Sequence, residues 1–227
     1  MDLIEGSKGI DINYWYYRRK FNLISNFLNK LEDIISVCDV GAGQALFSIE
    51  LSRRYPNTNF VATDIHYGND WIDRRDFSNL RFQRDYFPSH IVLLNDVIEH
   101  VPNPVLFLSE IVDISDRGTT FLITVPAFEH LWSGHDDYLQ HFRRYNMKTL
   151  RQDIEAAGLR EVEMNYIYWT IYPLVLLYRK LNSRSSRSNL EPRPILDKFL
   201  RWLMTFEEKF RKSKIPGVSI WCVAIKP

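Results

Sequence analysis

Two hydrophobic rhythms divide the chain. Short apolar runs rich in Val, Ile and Phe occur at Ile35–Val40, Asn59–Asp64, Ile91–Asn95 and Thr119–Val125, the pattern of strands buried on both faces. Ala45–Tyr55 and Pro104–Ser115 lie between them with helical spacing, and Pro104 suits a first helical turn. Strands alternating with helices predict a parallel sheet joined by right-handed crossovers. Met147–Ala157 reads as a further helix stopped by Gly158. Leu159–Tyr168 and Val218–Ile225 read as two late strands.

Two segments stand outside this alternation. Asn13–Leu31 is an aromatic and basic helix ahead of the first strand. Trp169–Lys214 is a helical insertion before the last strand: an apolar helix Trp169–Leu181, a Ser, Asn and Pro-rich break at Ser183–Pro194, then an amphipathic helix from Ile195 to about Lys212. In that second helix Leu196, Phe199, Leu200, Leu203 and Phe210 recur at helical spacing.

Composition narrows the class. A chain of 227 residues, 45% apolar and 25% charged, fits one globular domain spanning 1–227. Met1–Ile10 has no basic segment followed by an apolar run, so no signal peptide is visible and the cytoplasm is the expected compartment. Cys38 and Cys222 sit in separate strand-like runs and read as buried thiols. The net charge of +1 hides an asymmetry. Arg179–Lys214 holds 11 Lys or Arg against 4 Asp or Glu, an excess of +7, which leaves 18 basic against 24 acidic residues elsewhere. An anionic partner for that segment is the expectation.

The most specific stretch is VCDVGAGQALFS, Val37–Ser48. It is a strand ending in an acid, a turn holding Gly41, Ala42 and Gly43, then a helix, a frame for a nucleotide ligand. A second acid, Asp64, closes the next strand at the spacing expected of a ribose ligand. A dinucleotide site would want a third glycine where Leu46 stands, so NAD is disfavoured. Asp39 to Ala45, read as Asp-x-Gly-x-Gly-x-Ala, instead resembles the first motif of class I S-adenosylmethionine-dependent methyltransferases.

That resemblance runs from about Asn13 to Lys226 and implies a doubly wound, mostly parallel seven-stranded α/β sheet of Rossmann-like methyltransferase type. It implies that Asp39, Gly41, Ala42 and Gly43 hold the methionine end of S-adenosylmethionine, with Asp64 on the ribose and Asp85 on the adenine amino group. Ile65 and Tyr86 would flank the adenine, Asn95 would lie near the reactive methyl, and Tyr14, Trp15, Tyr16 and Tyr17 would close the pocket. The fourth strand ends Asn95-Asp96-Val97-Ile98, not in the Asn-Pro-Pro-Tyr type element of methyltransferases acting on exocyclic amines, so an oxygen acceptor is expected.

VPAFEHLWSGHDDYLQHFRRYN, Val125–Asn146, then falls after the fifth strand, where it would wall the acceptor pocket. His135 beside Asp136 is the favoured general base and His141 the second. Trp132, Arg143, Arg144 and Tyr145 are the candidate acceptor contacts. Asp96, Glu99, His100 and His141 resemble the Glu-x-x-Glu-His metal set of small-RNA 2′-O-methyltransferases and ubiquinone-pathway O-methyltransferases, but the first acid is shortened to Asp, and no metal is expected. WYYRRK, WSGHDDYLQHFRRY and GVSIWCVAIKP resemble bacterial methyltransferases of glycan and lipid-linked sugar pathways.

The expected activity is O-methylation of a glycan, lipid-linked sugar or small acid, the alternatives being an RNA 2′-O-methyltransferase and a non-catalytic cofactor-binding or assembly module. Positive charge clusters with apolar helices and forms no long basic track, so nucleic acid is not expected as a partner. The insertion reads as a cap over the sheet, a membrane-surface element at the inner membrane face, or a homodimer contact.

Overall fold

The computed structural model describes residues 11–31, 36–181, 194–209 and 214–227. Seven strands form one sheet: β1 Ser36–Val40, β2 Asn59–Thr63, β3 Leu80–Gln83, β4 Ile91–Asn95, β5 Thr120–Pro126, β6 Arg160–Ile167 and β7 Ser219–Ile225. Their order is β3-β2-β1-β4-β5-β7-β6. Every pairing is parallel except those of β7, which is antiparallel to both β5 and β6. The expected mostly parallel, doubly wound sheet is therefore present. The third strand, only four residues long, was implied by the resemblance but too short to show in the apolar rhythm.

Eight helices accompany the sheet among the described residues: α1 Trp15–Leu28, α2 Leu46–Arg54, α3 Asn69–Ile72, α4 Pro104–Ile114, α5 Gly134–Tyr138, α6 Met147–Ala156, α7 Tyr172–Leu181 and α8 Pro194–Glu208. Local chemistry sets their ends. Pro104 occupies the first turn of α4, and Asn103 accepts the Leu106 N–H at 3.1 Å. Asn146 and Thr149 form a reciprocal capping box on α6, and Gly158, with φ +87°, ends its run. Helices α3 and α5 were not foreseen, being four and five residues long.

One apolar layer, with Phe21, Leu51 and Trp221, lies on one face of the sheet; another, with Leu108, Leu150 and Cys222, lies on the other. Cys38 and Cys222 are free, buried thiols, and burial pushes Cys38 up to about 12. The sheet also locates the insertion. Pro126 at the end of β5 pairs with Ser219 at the start of β7, which pairs with Ile167 at the end of β6. Helices α7 and α8 therefore connect strands at the edge holding the carboxyl ends of the parallel strands. The break at Ser183–Pro194 falls almost wholly outside the described residues, as does Phe210. Among the described residues no helix is long and apolar enough to cross a membrane.

Candidate functional site

Strand order reverses between β1 and β4, the place where open α/β sheets take ligands at the carboxyl ends of their strands. The turn leaving β1 is built on three left-handed residues: Gly41, Gly43 and Ala45 have φ of +67°, +54° and +53°. A Cβ on Gly41 would meet the Val97 methyls at 3.0 and 3.1 Å, so a side chain there would crowd the loop after β4. Asp64 fastens the turn from the next strand. Its Oδ2 accepts the Gly43 N–H at 2.9 Å and its Oδ1 the His66 N–H at 2.9 Å. Beneath lies Asp39, buried, accepting the Ser48 hydroxyl at 2.7 Å; burial pushes its carboxyl up to about 6.

Ile65, 78% exposed, and the exposed Asp85 stand beyond β2 and β3. Asn95 closes β4 as a buried amide whose Nδ2 has no hydrogen-bond partner among the described residues. A buried donor left over at a strand's carboxyl end is the kind of group a ligand satisfies.

Helix α1 closes over this end of β4. Asp96, with φ +53°, forms an ion pair with the buried Lys20 and accepts the Tyr16 hydroxyl at 3.1 Å and the Thr124 hydroxyl at 3.2 Å. Burial would raise the Asp96 carboxyl, but the Lys20 ammonium overcomes it and holds the group below the usual range. Tyr16 stacks on Tyr168 with centroids 5.1 Å apart, and the Tyr168 hydroxyl donates to the Tyr16 carbonyl at 2.6 Å. Neither Lys20 nor its pairing with Asp96 was foreseen. The only sequence signal was a lysine among the aromatics of WYYRRK.

The histidine loop converges on one carboxylate. Ser133 caps α5, and its N–H and hydroxyl donate to Asp136 Oδ2 at 2.9 and 3.2 Å. Arg144 donates from Nε at 2.7 Å and Nη2 at 3.1 Å, His141 Nδ1 lies 2.9 Å from Oδ1, and Arg179 of α7 reaches to 3.9 Å. Burial would raise Asp136, but the His141 hydrogen bond and the Arg144 guanidinium hold it well below the ordinary carboxylate range. Burial pulls His135 the other way from a cation, lowering its pKa and keeping the imidazole neutral.

The Phe142 N–H donates to the Glu99 carbonyl at 2.8 Å, drawing the loop onto the short turn Ile98–His100. His141 and His100 meet edge to face at 4.6 Å. Glu99 is fully buried, with neither carboxylate oxygen hydrogen-bonded among the described residues; burial, then the Asp96 charge, raise it well above the usual range. Glu99, His100 and His141 each bring a possible metal-ligand atom within 4.8 Å of the others. Asp96, the fourth member of the set read from the sequence, is engaged by Lys20 instead.

A family model described as a methyltransferase domain matches residues 12–164, more than half of the chain. The chain belongs to that methyltransferase family. No curated protein matches its sequence. Among solved structures, the methyltransferase resembles a putative sarcosine dimethylglycine methyltransferase from Galdieria sulphuraria at 12% identity, over 92% of this chain and 86% of that one, with a TM-score of 0.59. It resembles the [4+2]-cyclase SpnF at 14% identity, over 99% and 90%, with a TM-score of 0.61. It also resembles phosphoethanolamine N-methyltransferase 2 from Haemonchus contortus, in complex with S-adenosyl-L-methionine, at 13% identity over 92% and 52%, with a TM-score of 0.59. Identities this low establish a shared fold, and a fold hosts more than one chemistry.

Within the methyltransferase domain, Asp39, Gly41, Ala42, Gly43, Asp64, Ile65, Asp85 and Asn95 all fall at the carboxyl ends of β1 to β4 or in the loops that leave them. Tyr86 departs from its expected place: it packs on the second core layer, and its hydroxyl and that of Ser115 share a hydrogen bond at 2.8 Å, so the ring is turned from the rim. Two acceptor contacts are corrected too. Tyr145 is 2% exposed in the core, where its backbone pairs with Ala127. Arg144 is 8% exposed and spends its guanidinium on Asp136 and the Ala127 carbonyl. A buried arginine is kept only with such partners. Trp132 Nε1 donates to Asp137 at 2.9 Å and Arg143 to the Pro102 carbonyl at 2.7 Å, both part-exposed beside the loop. Asp136, next to His135 in the chain, holds His141 Nδ1 at 2.9 Å.

Proposed function

We propose that this methyltransferase moves a methyl group from S-adenosylmethionine to an oxygen of a glycan, lipid-linked sugar or small acid. The turn shaped by Gly41 and the leftover Asn95 amide fit such a cofactor. Asp39 and the Gly41, Ala42 and Gly43 backbone would hold its methionine end, Asp64 its ribose, and Asp85 with Ile65 its adenine. The cofactor supplies the electrophilic methyl, so the protein's work is to align the acceptor and take its proton.

The Asp136–His141 pair carries the reading for oxygen. An ionised carboxylate only accepts hydrogen bonds, so His141 Nδ1–H donates to Asp136 and a neutral ring keeps Nε2 as the proton acceptor. A sugar hydroxyl, weakly acidic, needs such a base far more than a carboxylate does. His135, neutral and on the same loop, is the second candidate.

The test is turnover across sugars, lipid-linked sugars, small acids, amines and RNA with labelled S-adenosylmethionine. His141→Ala is expected to lower hydroxyl methylation by about 10²–10⁴-fold while cofactor affinity holds. Methylation confined to amines or RNA removes the oxygen assignment. Cofactor binding without turnover on any acceptor favours the non-catalytic module. Full activity in His141→Ala with loss in His135→Ala moves the base to His135.

A further inference from the structure

Helices α7 and α8 each present, among the described residues, a second apolar face that is exposed. On α7, Val175 packs inward, while Leu174, Leu177 and Leu181, the last 75% exposed, form a stripe at i, i+3 and i+7 spacing. On α8, Leu200, Leu203 and Met204 pack inward, while Leu196, Phe199 and Trp202 are exposed, Trp202 by 63%. An ordinary surface helix turns its other side to water with polar residues, so a double apolar face marks an interaction surface. Tyr138 and Phe142 add exposed aromatic surface on the histidine loop itself.

The two helices stand at the carboxyl edge of the sheet. Arg179 of α7 approaches Asp136 of the histidine loop at 3.9 Å. Helix α8 is tied to α1, which closes over the end of β4: Asp197 accepts the Trp15 N–H at 3.0 Å, and Glu208 accepts from Asn22 at 2.8 Å. Buried Glu207 accepts the Tyr168 N–H at 2.6 Å, fixing α8 to the end of β6. The exposed faces thus belong to helices tied to α1, to the end of β6 and to the histidine loop.

Charge selects the occupant. Lys180 on α7, Lys198 on α8 and Lys209 just after α8 are exposed, and the sequence from Arg179 to Lys214 carries an excess of +7. A second copy pairing through the same patch would set like charge against like charge. Leucine stripes offer nothing to phosphates or base edges of a nucleic acid. Apolar residues that insert and lysines that meet phosphate headgroups suit one surface. We propose that α7 and α8 dock this methyltransferase on an anionic lipid bilayer, with the carboxyl edge of the sheet, and so the acceptor mouth, turned toward the lipid.

Vesicle binding tests this without any methyl transfer, so its outcome is separate from that of the proposed reaction. The full chain is mixed with phosphatidylcholine vesicles, with and without phosphatidylglycerol, and the bound fraction is read by co-sedimentation. Binding is expected to the anionic vesicles and to weaken with salt. Leu177→Glu and Trp202→Glu, on exposed positions outside the site, should each reduce it by at least about tenfold. Lys180→Glu with Lys198→Glu should remove the preference for anionic lipid. Unchanged circular dichroism and cofactor binding in these variants would show that the fold persists. No binding to anionic vesicles, equal binding by the Glu variants, or a dimer mass by light scattering that the same substitutions abolish would each overturn the proposal.

Discussion

Asp136→Asn is the substitution whose cost the structure defines most fully. Asp136 is fully buried, and its two oxygens receive Ser133 N–H, Ser133 hydroxyl, His141 Nδ1 and two Arg144 nitrogens, all at 2.7 to 3.2 Å. Asparagine preserves the shape but keeps one oxygen, turns an amide donor toward donors, and removes the charge opposite a guanidinium that is itself buried. Breaking one partner of a buried ion pair costs about 3–5 kcal/mol, against a total stability of about 5–15 kcal/mol for a typical domain. The variant should unfold at clearly lower urea concentration at neutral pH, with an unchanged slope.

The sign of the pH effect follows from the depressed carboxyl. A group ionised more easily in the folded than in the unfolded chain contributes its full stability above the unfolded value of about 3.9 and loses it as pH falls through the folded one. The gap between wild type and Asp136→Asn should therefore narrow as the solution is acidified below pH about 4. Arg144→Met added to Asp136→Asn should restore part of the loss, because the stranded cation is gone. A loss under about 1 kcal/mol at neutral pH, or one that stays constant into acid, would refute the view that this carboxylate holds the loop together.

Asp64→Ala should weaken S-adenosylmethionine binding at least tenfold by calorimetric titration, since one charge-assisted bond to a ribose hydroxyl contributes about 1.5–3 kcal/mol; unchanged affinity would remove Asp64 from the site. Asp39→Asn should stabilise the ligand-free protein at neutral pH by about 2–3 kcal/mol, because a carboxyl raised to about 6 loses stability as pH climbs from about 4 through about 6. Parallel pH-stability curves for the two proteins would contradict that cause. Turnover should survive a chelator, since Asp96 is engaged by Lys20 and stays out of the Glu99, His100 and His141 cluster. Activity lost to EDTA and restored by magnesium would assign those three side chains to a metal.

The elements were legible because their causes are local. Apolar runs, Pro104 and Gly158 act over a few residues, and the helices and strands they predict match those observed to within a few positions. The motif from Asp39 to Ala45 likewise marked the turn that leaves β1, because a tight turn between strand and helix needs glycines wherever it occurs. What sequence order alone could not rank was the polar chemistry. His135 and Asp136 are neighbours in the chain, yet on a helix successive side chains point about 100° apart, and the carboxylate turns instead to His141 and Arg144.

The sequence by itself determined an α/β sheet, the glycine turn after its first strand and a basic, apolar insertion, since periodicity and turn chemistry are written in short segments. Only the tertiary structure decided which charges meet. Lys20 reaches Asp96 across 76 positions, Glu207 caps the end of β6 from α8, and Arg144 and Tyr145 turn inward while their neighbour Arg143 does not. Burying a charge is costly unless an opposite charge or a set of donors is brought to it. That requirement is met by packing between distant segments, so no short stretch of the chain records it.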